Sequence, residues 1–349
     1  MDNRDVDAIR LACTRFVTAW SVPSPPDGDR YGEGGAVERL EARVAELLGK
    51  EAAAFFPSGT MAQQVALRVH CDRVGRRTVA FHPQCHLEVH EEKGYLHLHG
   101  LHARLVGNRD RLITLEALEE IAEPVGVLLL ELPQRDLGGQ LPAWDDLAAQ
   151  IAWARDRGAA LHLDGARLWQ CEPFYGKSFA EISALFDTVY VSMYKDLGGL
   201  AGCLLAGPED VVAEARVWRV RHGGRLATVA PLAVSGLQGL DELLPRMPEF
   251  VAKARELGEA LAEVDGVRVV PDPPQVAMLH VYVEGEPERL REAALDIAEE
   301  TSTFLTARFT PTALPTMQRT EIAVGAPTLE VPTAEIAELY GELVRRAAA

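Results

Sequence analysis

Short apolar segments alternate with amphipathic helical patterns through the first two thirds of the chain, and this alternation constrains the fold more than any other feature. The apolar segments lie at residues 78–81, 125–132, 159–163, 187–193 and 202–207. The helical patterns lie at residues 36–50, 58–70, 115–123, 143–158 and 179–186. Because strands that are buried on both faces read as continuous apolar runs, we predict an α/β fold with a mostly parallel central sheet covered by helices.

The pattern changes after about residue 235. A long helical region (about 233–264) is followed by two strand-like runs, a helix, two further strand-like runs and a last helix from Thr333. This order predicts a smaller α+β unit. We therefore divide the 349 residues into an N-terminal helix and arm (1–30), a large domain (31–235) and a small C-terminal domain (236–349).

Charge and cysteine usage exclude several classes of protein. A formal net charge of −17 without any basic run argues against general binding of nucleic acid. The charged N-terminus is no signal peptide and no stretch is long enough to cross a membrane, so we expect a cytoplasmic protein. The cysteines are odd in number and lack CxxC spacing, which argues against a disulfide framework and a zinc site. They are Cys13, Cys71, Cys85, Cys171 and Cys203.

The stretch FFPSGTMAQ (55–63) offers a place for an anion. Ser58, Gly59 and Thr60 stand at the predicted start of a helix, where free backbone N–H groups and the helix dipole favour a phosphate. Gly59 would let the ligand approach the backbone closely. A plain capping turn explains the same three residues, since S-G-T alone is a weak motif.

The stretch LHLDGARLWQ (161–170) places an acid and a base directly after a predicted strand. Asp164 stands at the carboxyl end of that strand, where open α/β sheets bind ligands. A buried carboxylate stays ionised only beside a cation. Arg167 is one possible partner, in a purely structural pair, and a protonated ring nitrogen of a cofactor is another.

Lys195 and a group of histidines complete the candidate chemistry. Lys195 follows a strand and precedes the glycine-rich stretch GGLAG, and a lysine desolvated there can act as a nucleophilic amine. His82, His86 and His90, at helical spacing, offer a flat group that could stack on a flat cofactor. A metal site is the alternative for the histidines, but no definite metal motif surrounds them, and we predict no metal. The histidines of this region are His82, His86, His90, His97, His99 and His102.

Together these stretches resemble the threonine aldolase and β-eliminating lyase family, whose members are fold-type-I enzymes dependent on pyridoxal phosphate (PLP). The matching stretches keep their order across roughly residues 31–207, and residues 208–349 match in outline only. They are YGEGGAVERLEARVAELLGKEAAAFFPSGTMAQQVAL, CHLEVHEEKGY, LHLDGARLW and SMYKDLGGLAGCLLAG. The resemblance implies the PLP-dependent transferase fold, with a large PLP-binding domain and a smaller C-terminal one.

The resemblance also implies how this chain would hold PLP. Asp164 would face the pyridine nitrogen and keep it protonated, so that the ring can accept electrons. Lys195 would carry the cofactor as a Schiff base, and His86 would stack over the ring. Arg167 would lie near the cofactor and pair with the substrate carboxylate. The phosphate would be held by Ser58, Gly59 and Thr60.

The chain departs from the family pattern at three places. It lacks the short SDT stretch with which family members usually begin. Gln134 stands at a substrate-facing position where a histidine that assists the aldol step is expected, and glutamine cannot take a proton near neutral pH. The region 219–227, which supplies basic residues near the phosphate in the family, is altered, with Arg221 and Arg225 as the candidates.

The resemblance implies an aldehyde-lyase that cleaves the Cα–Cβ bond of a β-hydroxy-α-amino acid such as L-threonine or L-allo-threonine. Because of Gln134, another PLP reaction stays open as an alternative, namely β-elimination, racemisation or transaldolation. A non-catalytic PLP-binding regulator is a further alternative. Fold-type-I enzymes build their active sites between subunits, so the resemblance implies a homodimer or homotetramer. We expect the ligand to be a small-molecule amino acid, and we expect no binding to nucleic acid or membrane.

Overall fold

The computed structural model of the chain describes residues 28–348. Most of the predicted N-terminal helix and arm, together with Cys13, therefore lies outside the described residues. Among the described residues, no helix has the length and apolar character needed to span a bilayer.

A seven-stranded sheet forms the centre of the first two thirds of the chain. Its strands follow the spatial order β1-β7-β6-β5-β4-β2-β3, and only β7 runs antiparallel to its neighbours in this sheet. Each of the five apolar segments contains or overlaps a strand, so the predicted mostly parallel sheet is confirmed. The strands are β1 (Ala52–Phe56), β2 (Thr78–Phe81), β3 (His102–Leu105), β4 (Val127–Glu131), β5 (Ala160–Gly165), β6 (Thr188–Ser192) and β7 (Cys203–Gly207).

The helices of this region follow the predicted patterns with shifted ends. The helix α1 buries Val37, Leu40 and Val44 completely and ends at Gly49, whose φ of 61° suits glycine. The patterns at 115–123 and 179–186 form shorter helices than predicted. The helices are α1 (Gly35–Leu48), α2 (Gly59–Val74), α3 (His86–Val89), α4 (Gly94–His99), α5 (Leu115–Glu119), α6 (Trp144–Asp156), α7 (Glu172–Tyr175), α8 (Phe179–Ser183) and α9 (Glu209–Arg221).

The last third of the chain forms a second, antiparallel sheet with helices, as the predicted α+β unit requires. Its strands are β8 (Val267–Val270), β9 (Met278–Glu284), β10 (Thr310–Pro311) and β11 (Met317–Ala323), in the order β10-β11-β9-β8. Its helices are α10 (Ala230–Glu242), α11 (Met247–Ala262), α12 (Pro287–Thr301), α13 (Ala326–Leu329) and α14 (Thr333–Ala348).

The long helical region predicted at about 233–264 is divided into α10 and α11 by a 3-10 turn, Leu244–Arg246. Proline at 245 and at 248 lacks the N–H group that a continuous helix would use, which explains the division. The predicted domain boundary between residues 235 and 236 lies inside α10. The division of the chain into domains remains a proposal.

One apolar core joins the two sheets and positions the carboxyl edge of the larger one. The central strands are completely buried, with Leu128, Leu161 and Leu204 inaccessible to solvent. The same cluster of contacting side chains extends to Leu257 on α11 and Leu343 on α14. The chain segments that follow β1, β5 and β6 are therefore fixed relative to the small sheet.

Candidate active site

A cleft of about 270 Å³ opens at one edge of the large sheet. The strands β1, β5 and β6 run in the same direction, so their carboxyl ends meet at this edge. Six of the predicted site residues line the cleft together, namely Ser58, Gly59, Thr60, His86, Asp164 and Lys195. Arg167 and Gln134 are not among its lining residues. This edge is where open α/β sheets bind their ligands.

The N-terminus of α2 presents unused backbone donors to the cleft. Ser58 occupies the N-cap position with an extended backbone, and its side chain makes no capping bond. The first N–H bonded within this turn is that of Ala62, which donates to the Ser58 carbonyl at 3.2 Å. The N–H groups of Gly59 and Thr60 therefore have no intrahelical acceptor, and together with the helix dipole they favour an anion.

Gly59 is required by the packing of the cleft floor. A Cβ atom at this position would lie 2.3 Å from the hydroxyl oxygen of Tyr190, which is 3% exposed. Any larger side chain would displace Tyr190 or the start of α2. The close approach of Tyr190 therefore requires glycine at position 59, independently of the predicted contact with a phosphate.

Asp164 is a buried carboxylate with few partners. It is 1% exposed, and its Oδ1 accepts one bond, from the Ala166 N–H at 3.1 Å. Burial raises the pKa of Asp164, and the nearby Lys195 and His86 oppose that rise. Within residues 28–348 it forms no ion pair with Arg167, so the structural Asp–Arg pair considered above is not formed. A cationic group in the cleft would complete its environment.

Lys195 lies three residues beyond the end of β6 and reaches the same cleft. Burial lowers the pKa of its amine, while Asp164 partly restores it. A lowered pKa increases the fraction of neutral amine, which is the nucleophilic form. The two groups thus influence each other across the space where a ligand would bind.

His86 begins the short helix α3, and a carboxylate fixes its ring. Its Nδ1 lies 3.0 Å from Oε1 of Glu91, whose side chain is 2% exposed. The amide of Gln64 donates to the other oxygen of Glu91 at 3.2 Å. His86 itself is 31% exposed and lines the cleft.

The other histidines take separate places. His82 bonds to backbone carbonyls, whereas His99 contacts His222 across 3.2 Å between their Nε2 atoms. His97 and His102 are exposed. In the part of the chain that the structure describes, no three His, Cys, Asp or Glu side chains are arranged to hold a metal ion.

Gln134 and Arg167 lie beside the cleft. The Gln134 amide is 4% exposed and donates to Glu131 Oε2 at 3.0 Å and to the Gln84 carbonyl at 3.3 Å. Burial and the adjacent Asp164 raise the pKa of Glu131. Glu131 on β4 lies directly opposite Asp164 on β5 in the register of the two strands. Arg167 lies 3.9 Å from Glu321 on β11, so residues from both sheets meet here.

The region 219–227 makes its contacts outside the cleft in this chain. Arg221 stacks on the Trp218 ring at 4.6 Å, and Arg225 stacks on Tyr31 at 4.9 Å. Neither arginine lines the cleft. Arg219, which sequence reasoning passed over, is 5% exposed and donates to the Phe55 carbonyl at 2.6 Å.

Sequence reasoning also missed several lining residues. Gln63 lies one helical turn after Gly59, a spacing that could have identified it. Glu91, Tyr190 and Tyr194 line the cleft as well, and sequence reasoning gave none of them a role, although Glu91 and Tyr194 lie within the stretches that resemble the family.

The donor set matches a flat, phosphorylated pyridine aldehyde such as PLP. The open end of α2 suits a phosphate and the unpaired Asp164 suits a protonated ring nitrogen. The Lys195 amine suits the aldehyde carbon, and the His86 ring suits the flat face. Each part of such a cofactor has a complementary group in the same cleft.

Comparisons with known proteins identify the family of this chain. The family model described as β-eliminating lyase matches residues 25–285. Low-specificity L-threonine aldolase 1 of Arabidopsis thaliana is 32% identical over 253 residues, which cover 70% of each chain. The low specificity L-threonine aldolase of Escherichia coli K12 is 31% identical over 246 residues, covering 69% of this chain and 73% of that one.

Solved structures extend the likeness to nearly the whole chain. A putative L-allo-threonine aldolase from Listeria monocytogenes is 38% identical with a TM-score of 0.88, covering 98% of this chain and 93% of that one. The Leishmania major threonine aldolase, at 20% identity and a TM-score of 0.71, shares the fold and covers 97% of this chain and 95% of that one. This chain belongs to the threonine aldolase and β-eliminating lyase family and has the PLP-dependent fold-type-I architecture.

Proposed function

We propose that this enzyme cleaves the Cα–Cβ bond of a β-hydroxy-α-amino acid resembling L-threonine or L-allo-threonine, with PLP as cofactor, and releases glycine and an aldehyde. One observation carries the proposal. The Lys195 amine and the unpaired Asp164 carboxylate face the same cleft, beside the open N-terminus of α2. The named threonine aldolases among its relatives favour this bond over the alternatives of β-elimination, racemisation and transaldolation.

Bound PLP supplies an electron sink that accepts the electron pair left on Cα when the Cα–Cβ bond breaks. Asp164 holds the ring-nitrogen proton that this sink requires, because a buried anion stabilises a neighbouring cation. Lys195 would hold the cofactor covalently through its side-chain amine. The lowered pKa of Lys195 favours the neutral form of that amine, which is the nucleophilic form.

The substrate is bound by the edge of the cleft that faces the small sheet. Arg167 would pair with the α-carboxylate in the two-pronged geometry that guanidinium groups favour. Its contact with Glu321 is long, at 3.9 Å, so its donors are not saturated by that carboxylate. Gln134 can donate or accept a hydrogen bond near the substrate, but it cannot act as a base.

A second copy of the chain would complete the enzyme. Four large apolar side chains near the altered region are strongly exposed, at 50% for Val217 and Val220 and 43% for Tyr31 and Leu226. Such a group on one face supports a homodimer or homotetramer with the active site near the subunit interface. The free cysteines Cys71, Cys85, Cys171 and Cys203 support the cytoplasmic location that we propose.

The function is tested with purified protein loaded with PLP. We expect visible absorbance from the bound cofactor, and aldehyde and glycine on addition of L-threonine, L-allo-threonine or L-phenylserine. Lys195→Ala should lower aldehyde release by roughly 10³-fold or more, because the covalent attachment is lost. Lys177→Ala, at a surface lysine 38% exposed, is the matched control. Absorbance that responds to amino acids without aldehyde release would contradict the proposed reaction.

A further inference from the structure

A histidine–aspartate pair stands next to the cleft and has no part in holding the cofactor. His90 ends the helix α3, and its Nε2 lies 2.8 Å from Oδ2 of Asp136. The aspartate side chain is 12% exposed and the histidine side chain is 39% exposed. An ionised carboxylate only accepts hydrogen bonds, so in the neutral imidazole the proton is on Nε2. The Nδ1 lone pair, which has no partner among residues 28–348, is then free to take a proton.

The pair adjoins the cleft through His86, although neither His90 nor Asp136 is among the lining residues. The His90 ring centroid is 5.0 Å from that of His86, which lines the cleft. Asp136 belongs to the 3-10 turn Arg135–Leu137 that follows β4. Arg135 in that turn contacts Glu321 at 2.9 Å, and Glu321 in turn lies 3.9 Å from Arg167. A continuous series of contacts therefore links the ring that would stack on the cofactor to the guanidinium that would bind the substrate carboxylate.

We propose that His90, oriented by Asp136, is the base that removes the β-hydroxyl proton, an inference that rests on the proposed function. The O–H proton moves to Nδ1 of His90, and the O–H electron pair becomes the new C=O bond of the aldehyde. The Cα–Cβ bond breaks and its electron pair stays with Cα, which later takes up a proton to give glycine. The imidazolium returns its proton to solvent. No oxidant or other reactant is needed.

Two neighbouring residues are poorer bases for this step. Gln134 cannot take a proton, and its amide is already bonded to Glu131 and to the Gln84 carbonyl. His86 also has a carboxylate partner, but stacking would place its nitrogen lone pairs parallel to the cofactor plane. The His90 ring is inclined by 47° to the His86 ring, so the two rings are not stacked in parallel and His90 is not committed to the same face-on contact.

The decisive variant is His90→Asn in the full-length protein loaded with PLP. We expect aldehyde release from L-threonine to fall roughly 10²- to 10⁴-fold, the usual contribution of a general base. Solvent exchange of the glycine α-proton, followed by NMR, should stay within about threefold, since glycine has no β-hydroxyl group. Asp136→Asn should show the same pattern with a smaller loss. His97→Asn, at an exposed histidine of α4, is the matched control and should leave both rates unchanged.

A second readout does not depend on the loaded enzyme. Imidazole ¹⁵N spectra of the apo protein should show the Nε2–H tautomer for His90, identified by the signal that His90→Asn removes. The charged and titratable groups around His90 are Asp136, His86 and, beyond Asp136, Arg135 at 3.8 Å from it.

The outcomes separate the inference from the function on which it rests. Wild-type protein that exchanges the glycine proton but releases no aldehyde would overturn the proposed function, and the role of His90 with it. Aldehyde release that survives in His90→Asn, or the opposite tautomer in the apo protein, would overturn the role of His90 alone. If His90→Asn and His90→Gln both lose PLP or glycine exchange, the residue is structural and the inference is wrong.

Discussion

Two polar residues on the same face of β5 differ in how far their hydrogen-bonding capacity is used. His162 is inaccessible to solvent, and both ring nitrogens are bonded, Nδ1 to Thr188 Oγ1 at 2.8 Å and Nε2 to Gln63 Oε1 at 2.6 Å. Asp164, two residues further along, accepts one backbone bond. Within two residues of β5, the side chains thus change from one whose hydrogen-bonding groups are all used to one whose acceptors are mostly free.

The saturated network has a defined direction. Burial lowers the pKa of His162 to about 3 and that of His70 to about 4, so both imidazoles are neutral at pH 7. His162 donates from Nε2 to Gln63, so its Nδ1 accepts from the Thr188 hydroxyl. The Thr188 oxygen in turn accepts from His70 Nε2 at 2.8 Å. Each donor in the series has one acceptor.

The contrast separates residues that hold the fold from residues that await a ligand. A fully bonded buried network stabilises the native state, whereas a buried carboxylate with unused acceptors costs stability. Proteins keep such a cost where it serves binding or catalysis. We therefore expect substitutions in the His162 network and at Asp164 to move activity and stability in different directions.

The largest effect is expected for Asp164→Asn. The amide keeps the shape but removes the anion that stabilises the ring-nitrogen proton, so aldehyde release should fall on the order of 10³-fold. In the apo protein the free energy of unfolding should rise by about 1 kcal/mol, because an unpaired buried charge is removed. Activity assays and urea unfolding measure the two effects. Asp146→Asn, on an exposed part of α6, is the control. A loss of stability instead would mean that Asp164 is satisfied in the fold.

The sequence predicts which residues face the cleft better than it predicts which residues they contact. Asp164 stands at the end of one predicted strand and Lys195 follows another, so both could be placed at the carboxyl edge of a parallel sheet, whereas the start of α2 joined them only through the family resemblance. The partners of those residues could not be predicted, since Glu91 near His86 and Glu321 near Arg167 come together only through tertiary packing. The roles inferred for the site residues remain predictions.

The strands show the same limit. The sequence patterns identify the apolar strands, but not β1, which is rich in alanine, or β3, whose side chains alternate little and are partly exposed. β3 is an edge strand, so burial does not impose an apolar sequence on it. The His162 network is equally hidden, because a histidine in a predicted strand gives no sign of what it faces.

Thr188→Val, at the start of β6, tests the saturated network around His162. The substitution keeps the shape of the side chain but leaves the His162 Nδ1 acceptor and the His70 Nε2 donor without their partner. We expect the free energy of unfolding to fall by about 2–3 kcal/mol, with aldehyde release within about threefold at a temperature where the protein is folded. Thr78→Val, half-buried at the start of β2, is the control for losing a hydroxyl group. Unchanged stability would show that the network contributes little.

The smallest effect, taken per pH unit, is the pH dependence of stability that the buried His70 imposes. The pKa of His70 is about 4 in the folded chain against an ordinary value of 6.5, so the unfolded chain binds a proton first as the pH falls. The stability that the neutral His70 contributes is therefore fully present above pH 6.5. It is lost between pH 6.5 and 4, by about 1.4 kcal/mol per pH unit for one proton. His70→Gln should reduce the slope of unfolding free energy against pH by about that amount, measured by urea unfolding of the apo protein. His102→Gln, at an exposed histidine, should leave the slope unchanged. Equal slopes in all three proteins would mean that His70 takes up its proton in the folded chain as readily as in the unfolded one, and the neutral, directed network would then be wrong.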